Sequence, residues 1–162
     1  MARFFEKISF EQFKRDIRDD VSLYQEYSLP QRATKRSAGY DGESIIDFVL
    51  APGEVKKIPL GIKACMNPDE VLLLMIRSSQ GIKSMVRMCN QVGVIDSDYY
   101  NNIENEGHIW ICLQNCGDTD YVVHRGDKIC QMMFIKYLTV DDEKEITRER
   151  VNGFGSTDRK EG

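Results

Sequence analysis

Apolar residues along this chain follow two different periods. Near the N-terminus Phe10, Phe13 and Ile17 recur at helical spacing. Ser9 with Gln12 three residues later has the form of a capping box, Ser9 as the cap and Gln12 reaching back to it. The spacing predicts a helix over about 9–20. From Tyr27 onward the pattern changes to short apolar runs at 44–50, 55–62, 70–77, 107–114 and 127–137. They are cut by Ala51-Pro52-Gly53, Asn67-Pro68-Asp69 and Asn115-Cys116-Gly117-Asp118. Many short strands with such punctuation predict an all-β sandwich or jelly roll. Beyond Tyr137, Asp141-Asp142-Glu143-Lys144-Glu145 reads as a solvated linker, and the Gly-rich stretch from Asn152 to Thr157 reads as a flexible C-terminal arm. The expected organisation is a helical extension over 1–28, a β domain over 29–140, and a linker with a mobile arm over 141–162.

Length and charge narrow the function classes. A chain of 162 residues suits one domain with one core. A formal charge of -4 argues against a broad nucleic-acid-binding surface. An anionic substrate would therefore need local positive charge or a metal. No apolar run approaches the ~18 residues of a membrane span, and Phe4-Phe5-Glu6-Lys7 offers no signal-peptide core. Five cysteines at 65, 89, 112, 116 and 130 form no CxxC pair and leave one unpaired. A cytoplasmic protein with reduced, buried thiols is expected. Zinc is not expected, since only His108 and His124 could join Cys112 and Cys116.

Five polar clusters interrupt the apolar pattern. Ser37-Ala38-Gly39-Tyr40-Asp41 is either a turn before a strand or a loop aiming a carboxylate at a hydrated cation. Arg77-Ser78-Ser79-Gln80-Gly81 follows the run Val71-Leu72-Leu73-Leu74-Met75-Ile76. Its guanidinium, two hydroxyls and glycine suit phosphate oxygens, although a plain polar turn has the same composition. Asn90-Gln91-Val92 leads into Gly93-Val94-Ile95-Asp96-Ser97-Asp98-Tyr99. There Asn90 suits a base edge, a carboxylate can deprotonate water, and Asp96 and Asp98 share a face if the strand stays extended. An acidic hairpin turn is the other reading. In Gly126-Asp127-Lys128-Ile129-Cys130-Gln131, Gln131 stands inside an apolar strand and needs a partner. Arg150-Val151-Asn152-Gly153-Phe154-Gly155-Ser156-Thr157 combines donors with a ring able to stack on a base, or is a disordered end.

Taken in order, the five clusters resemble the motifs of the trimeric dUTP diphosphatases (dUTPases). The resemblance runs from Leu29-Pro30-x-Arg32-Ala33-Thr34 to Thr157, with the third and fifth clusters the most specific. It implies a jelly-roll β-barrel, a homotrimer with active sites shared between chains, and Mg²⁺-assisted hydrolysis of dUTP to dUMP and pyrophosphate. By the same resemblance Asp96 is the general base activating the water that attacks the α-phosphorus. Asp41 would hold the metal's waters, and Arg77, Ser78, Ser79, Gly81 and Gln131 would contact phosphate. Asn90, the backbone of Gly93, Val94 and Ile95, and the backbone of Trp110 on the return strand of the same hairpin would read uracil. Tyr99 would pack beneath the deoxyribose. Arg150, with Arg148 in reserve, and Phe154, Gly155, Ser156 and Thr157 would close over the substrate.

This chain also departs from the family pattern. Gly42 stands where Leu is usual, and Ile76 replaces the proline before Arg77. The stretch 100–106 lengthens the hairpin tip, Asp158 replaces a glycine, and the N-terminal helix is an addition. Two other functions share parts of the pattern. A dCTP deaminase would share the fold and the Arg-Ser-Ser turn. A nucleotide-sensing interaction protein would be supported only by the long tip and the extra helix.

Overall fold

The computed structural model describes residues 2–147 and Arg150. Five antiparallel strands form the largest sheet, in the order β2 (Gln31–Arg32), β3 (Tyr40–Glu43), β12 (Lys128–Lys136), β7 (Glu70–Met75), β9 (Val92–Asp96). A second sheet runs β5 (Val55–Pro59), β10 (Trp110–Asn115), β8 (Val86–Met88). Two further pairs complete it: β1 (Phe4–Lys7) with β6 (Ile62–Cys65), and β11 (Tyr121–Val123) with β4 (Phe48–Leu50). These ladders curve round one core without closing into a barrel. Leu72 and Leu74 of β7 meet Ile111 and Leu113 of β10 there, all essentially fully buried. Alternation delivers this arrangement, because β9 and β10 expose and bury successive residues in turn.

The N-terminal residues depart most from the expected helix over 9–20. Two short helices stand there, α1 (Phe10–Asp16) and α2 (Val21–Glu26). Asp20 starts the second by accepting the Leu23 N–H at 2.9 Å. Ser9 caps α1 through the Gln12 N–H at 3.1 Å. The return bond of the capping box is not made by Gln12, whose amide turns to Asp16 at 2.6 Å. Glu106 takes its place and accepts the Ser9 N–H at 2.9 Å. Phe4–Lys7 was not foreseen as a strand, because four residues with little alternation carry no period. Ile8, Phe13, Leu23 and Tyr27 all enter the common core. The rings of Phe13 and Tyr27 stack 5.7 Å apart.

Other expected boundaries shift for local reasons. The 55–62 run divides at Gly61 (φ +67°), which sends the chain from one sheet to another. The 44–50 run begins late, because Ser44 bonds Asp127 rather than a strand neighbour, and β3 precedes it. The 107–114 run starts at Trp110, after Gly107 at φ +82°. Of the five thiols, only Cys65 and Cys130 are buried; Cys89 and Cys116 are exposed, so burial does not explain them.

Candidate active site

Strand register brings the first, second and fourth clusters together. Asp41 on β3 stands opposite Gln131 on β12, and Gln131 stands opposite Met75 on β7. Just past β7, Arg77 begins α3 (Ser78–Lys83) and points its Nε at Asp41 Oδ1, 3.1 Å away. Lys128 Nζ donates to the other oxygen, Oδ2, at 2.9 Å. Close approach at Gly39 depends on the missing side chain, since a Cβ there would lie 2.7 Å from Gln131 Oε1. Asp41, Arg77, Gln131 and Gly39, with Ser37 and Ser78, line an open cavity of about 360 Å³. Ser78 and Ser79 are exposed, and the Gly81 N–H is used inside the helix, bonding Arg77 O at 3.0 Å. Positive charge and hydroxyls around one carboxylate make a phosphate-sized cradle.

The third cluster forms a separate site. β9 ends at Asp96 and the chain turns through a single 3₁₀ turn, Ser97–Tyr99. Asp96 and Asp98 therefore do not share an extended strand face, as the sequence suggested. Arg150 brings them together instead. Its Nη2 donates to Asp96 Oδ2 at 2.6 Å and its Nε to Asp98 Oδ1 at 2.8 Å. The same guanidinium lies 5.9 Å from the centre of the Tyr99 ring. Asp96, Asp98 and Tyr99 thus border one volume large enough for a planar cation. Tyr99 is almost fully buried, and burial raises its hydroxyl pKa. The hydroxyl donates to His108 O at 3.0 Å and accepts from Asn105 Nδ2 at 2.8 Å.

The expected uracil hairpin is only partly formed. β9 pairs with β7, whereas β10 pairs with β5 and β8. Trp110 is therefore not on a strand returning beside Gly93, because the 97–109 segment crosses between sheets. Asn90 reaches Trp110 by another route. The β8–β10 ladder continues through Cys89 N to Cys112 O at 2.8 Å, toward Asn90 on one strand and Trp110 on the other. The Trp110 ring lies 4.8 Å from that of His108, with Lys57 Nζ 4.6 Å from its centre. Gly93, Val94 and Ile95 lie on β9, an edge strand, so half of its backbone groups point away from β7.

The two charged clusters stand well apart. From Asp41 across β12 and β7 to Val92 is three strand spacings, about 14 Å, and Asp96 lies four residues, about 13 Å, further along. Asp41 and Asp96 of one chain are thus roughly 20 Å apart. Arg148, Phe154, Gly155, Ser156 and Thr157 lie outside the described residues. Lys128, Asp98, Asn105 and His108 were given no role from sequence. Lys128 stands inside a recognised motif and so carried a signal, whereas the others matter through contacts distant in sequence.

The fit of Mg²⁺ rests on Asp41. Among the described residues no group of three or more His, Cys, Asp and Glu is gathered to hold a metal. Asp41 is also occupied by two cations. An ion enclosed by protein ligands does not fit, but an ion carried on phosphates and touched through water needs only one such carboxylate.

Comparison with known proteins gives a consistent result. A sequence model of the dUTPase family matches residues 25–158. The deoxyuridine 5'-triphosphate nucleotidohydrolase of Lactococcus lactis is 45% identical over 131 residues, 80% of this chain and 87% of the relative. That of Haemophilus influenzae is 34% identical over 143 residues, 84% of this chain and 91% of the relative. The crystal structure of the Streptococcus mutans dUTPase superposes with a TM-score of 0.69 at 35% identity, covering 85% of this chain and 98% of the other. A variant dUTPase of S. aureus phage phi11, described with a structural Mg(II) ion, shares the fold at TM-score 0.67 and 20% identity, covering 91% and 98%.

Proposed function

This chain belongs to the dUTPase family and hydrolyses dUTP, and on that premise we propose that Asp96 is the general base, at sites shared between the copies of a homotrimer. One observation carries the sharing. Within one chain the base lies roughly 20 Å from the Asp41–Arg77–Gln131 cradle, too far for one triphosphate to touch both.

The face that would meet another copy supports the same reading. Val92 and Val94 of β9 are exposed beside the half-buried Leu73, Met75 and Met133. Asp96 closes that apolar band at one corner and Gln131 borders it at another. A neighbouring copy docked there would bring its cradle toward this chain's base.

Each group then has a task. Asp96 accepts the proton of a water that attacks the α-phosphorus, and pyrophosphate leaves on the opposite side. Arg77, Ser78, Ser79 and Gln131 of another copy hold phosphate oxygens, with Gly81 placing the helix that carries the two serines. Mg²⁺ bound with the substrate would neutralise those oxygens, and Asp41 would orient its waters. Asn90, Trp110 and the free backbone edge of Gly93–Val94–Ile95 read uracil, where a mismatched edge leaves buried polar groups unpaired. Tyr99 sets the floor for the deoxyribose. Arg150 leaves the base when substrate arrives, and the arm from Phe154 to Thr157 closes over it.

Pyrophosphate release from dUTP, dCTP, dTTP and UTP with Mg²⁺ tests the assignment. dUTP alone should react well, and Asp96→Asn should bind dUTP yet barely turn it over. Near-wild-type turnover by that variant would remove Asp96 from its role.

A further inference from the structure

We propose that Asp16 of the N-terminal extension is a positioning residue for deoxyribose selection, acting through His108 on Tyr99. The proposal rests on the reading above that Tyr99 faces the sugar. His108 is fully buried, where the helix α1, the turn at Gly61 and the long tip meet. Its Nε2 accepts the Gly61 N–H at 3.0 Å. The ring proton must then sit on Nδ1, which donates to Asp16 Oδ2 at 2.6 Å. A carboxylate from the extension thus fixes tautomer and ring plane together.

The other side of His108 touches the site. Its carbonyl oxygen accepts the Tyr99 hydroxyl at 3.0 Å, and its N–H donates to Asn105 O at 2.9 Å. Asn105 returns its amide to the Tyr99 hydroxyl at 2.8 Å. Asn102, also buried, donates to Tyr99 O at 2.9 Å and to Asn105 Oδ1 at 2.8 Å. The tip therefore grips Tyr99 at its hydroxyl and at its backbone, and His108 ties that grip to α1. Four other contacts join the same pieces: Ser9 to Glu106, Arg15 to Glu104 O, Lys63 to Glu6 and Lys63 to Glu106. The lengthened tip and the added N-terminus are halves of one brace.

Its consequence is selectivity. Rejecting a 2′-hydroxyl requires a ring surface that does not yield, and a shift of about 1 Å suffices to relax such discrimination. Loosening the Asp16–His108 bond should let the ring retreat while leaving Asp96 in place.

The experiment compares kcat/KM for dUTP and UTP across five chains, with thermal unfolding of each. Asp16→Ala should lower the dUTP preference about tenfold, mainly through better use of UTP, with kcat for dUTP within about threefold of wild type. Asp16→Asn keeps an acceptor for Nδ1 and should restore the preference. Asp20→Ala weakens the extension elsewhere, by removing the cap of α2 at the Leu23 N–H, and should lower Tm without changing the ratio. Tyr99→Leu should relax the ratio most. If Tyr99→Leu relaxes it but Asp16→Ala does not, the brace is structural only and the proposal fails alone. An equal shift in Asp20→Ala also overturns it, as general loosening. If Tyr99→Leu leaves the ratio intact, the sugar reading falls and takes the proposal with it.

Discussion

Mixing Asp96→Asn chains with Arg77→Ala chains tests the shared site directly, because each variant is damaged in a different cluster. Removing a positioned base costs about a hundredfold to ten-thousandfold in rate. Arg77 lies in the cradle beside Asp41, 3.1 Å from its carboxylate, and its loss removes a planar donor pair from the phosphates. Each pure variant should therefore retain about 1% of wild-type activity or less. If one copy supplies Asp96 and a neighbour supplies Arg77, an equal mixture has a definite outcome. A site needs its base from an Arg77→Ala chain and its cradle from an Asp96→Asn chain. Random assembly satisfies both at about one site in four.

The two chains would be co-expressed with different tags and the mixed assemblies isolated by sequential affinity steps. Light scattering would confirm their mass, and pyrophosphate release would report their rate. About a third of wild-type activity is expected from the isolated mixed trimers, since each holds one competent site in three, far above either parent. A rate no greater than the mean of the two parents, in assemblies verified as mixed, would refute the geometry: base and cradle would then have to act within one chain.

Other perturbations follow from named contacts. Phe13→Ala, at a fully buried ring stacked on Tyr27, should cost about 3–5 kcal/mol and show as a clear drop in Tm. Gly107→Ala should destabilise by about 1–3 kcal/mol in denaturant titration, since φ is +82° and the new Cβ would lie 2.6 Å from Tyr99 O. Burial holds the His108 pKa below its ordinary 6.5, outweighing Asp16, which favours the proton; Lys57 disfavours it and Glu106 favours it. The unfolded chain therefore binds the extra proton, so stability should fall as pH drops below 6.5 toward the folded value, by at most about 1.4 kcal/mol per unit. His108→Gln should flatten that part of the profile. Chelation with EDTA should stop turnover without altering circular dichroism, because no structural metal cluster is gathered among the described residues.

The β core was legible because alternation is a local signal. β9 and β10 alternate buried with more exposed residues, β7 and β12 read as apolar runs, and the turns between strands contain Gly, Pro, Asn or Asp. Pairing was not legible. The 93–110 segment reads as one hairpin, yet its two strands belong to different sheets, since the hydrogen-bond partners of β10 come from β5 and β8. The N-terminus failed for a related reason. Its strand is too short to show a period, and its helix stops at Asp16 before Asp20 caps a second one through Leu23. Glu106 replaces Gln12 in the capping box from 97 residues away, and no local rule supplies that partner.

Site residues divide along the same line. Asp41, Arg77, Asp96 and Gln131 were readable because they fall in polar clusters whose order resembles one family's motifs, and Gln131 also interrupts an apolar run. Their companions were not, because Lys128, Asp98 and His108 acquire meaning only from what they touch. On the shared-site proposal, the separation between Asp41 and Asp96 is what lets motifs scattered along the chain serve one reaction. When a site is assembled from different copies, residues need not converge within one fold; each must only reach the edge of the same exposed sheet face. The sheet fulfils that condition with few residues, since Asp96 and Gln131 border one apolar band at separate corners. What remains for the rest of the chain is rigidity at those corners. On the proposal above, the N-terminal extension and the tip supply it at Tyr99, three residues past the Asp96 corner, through a buried histidine whose Nε2 accepts and whose Nδ1 donates.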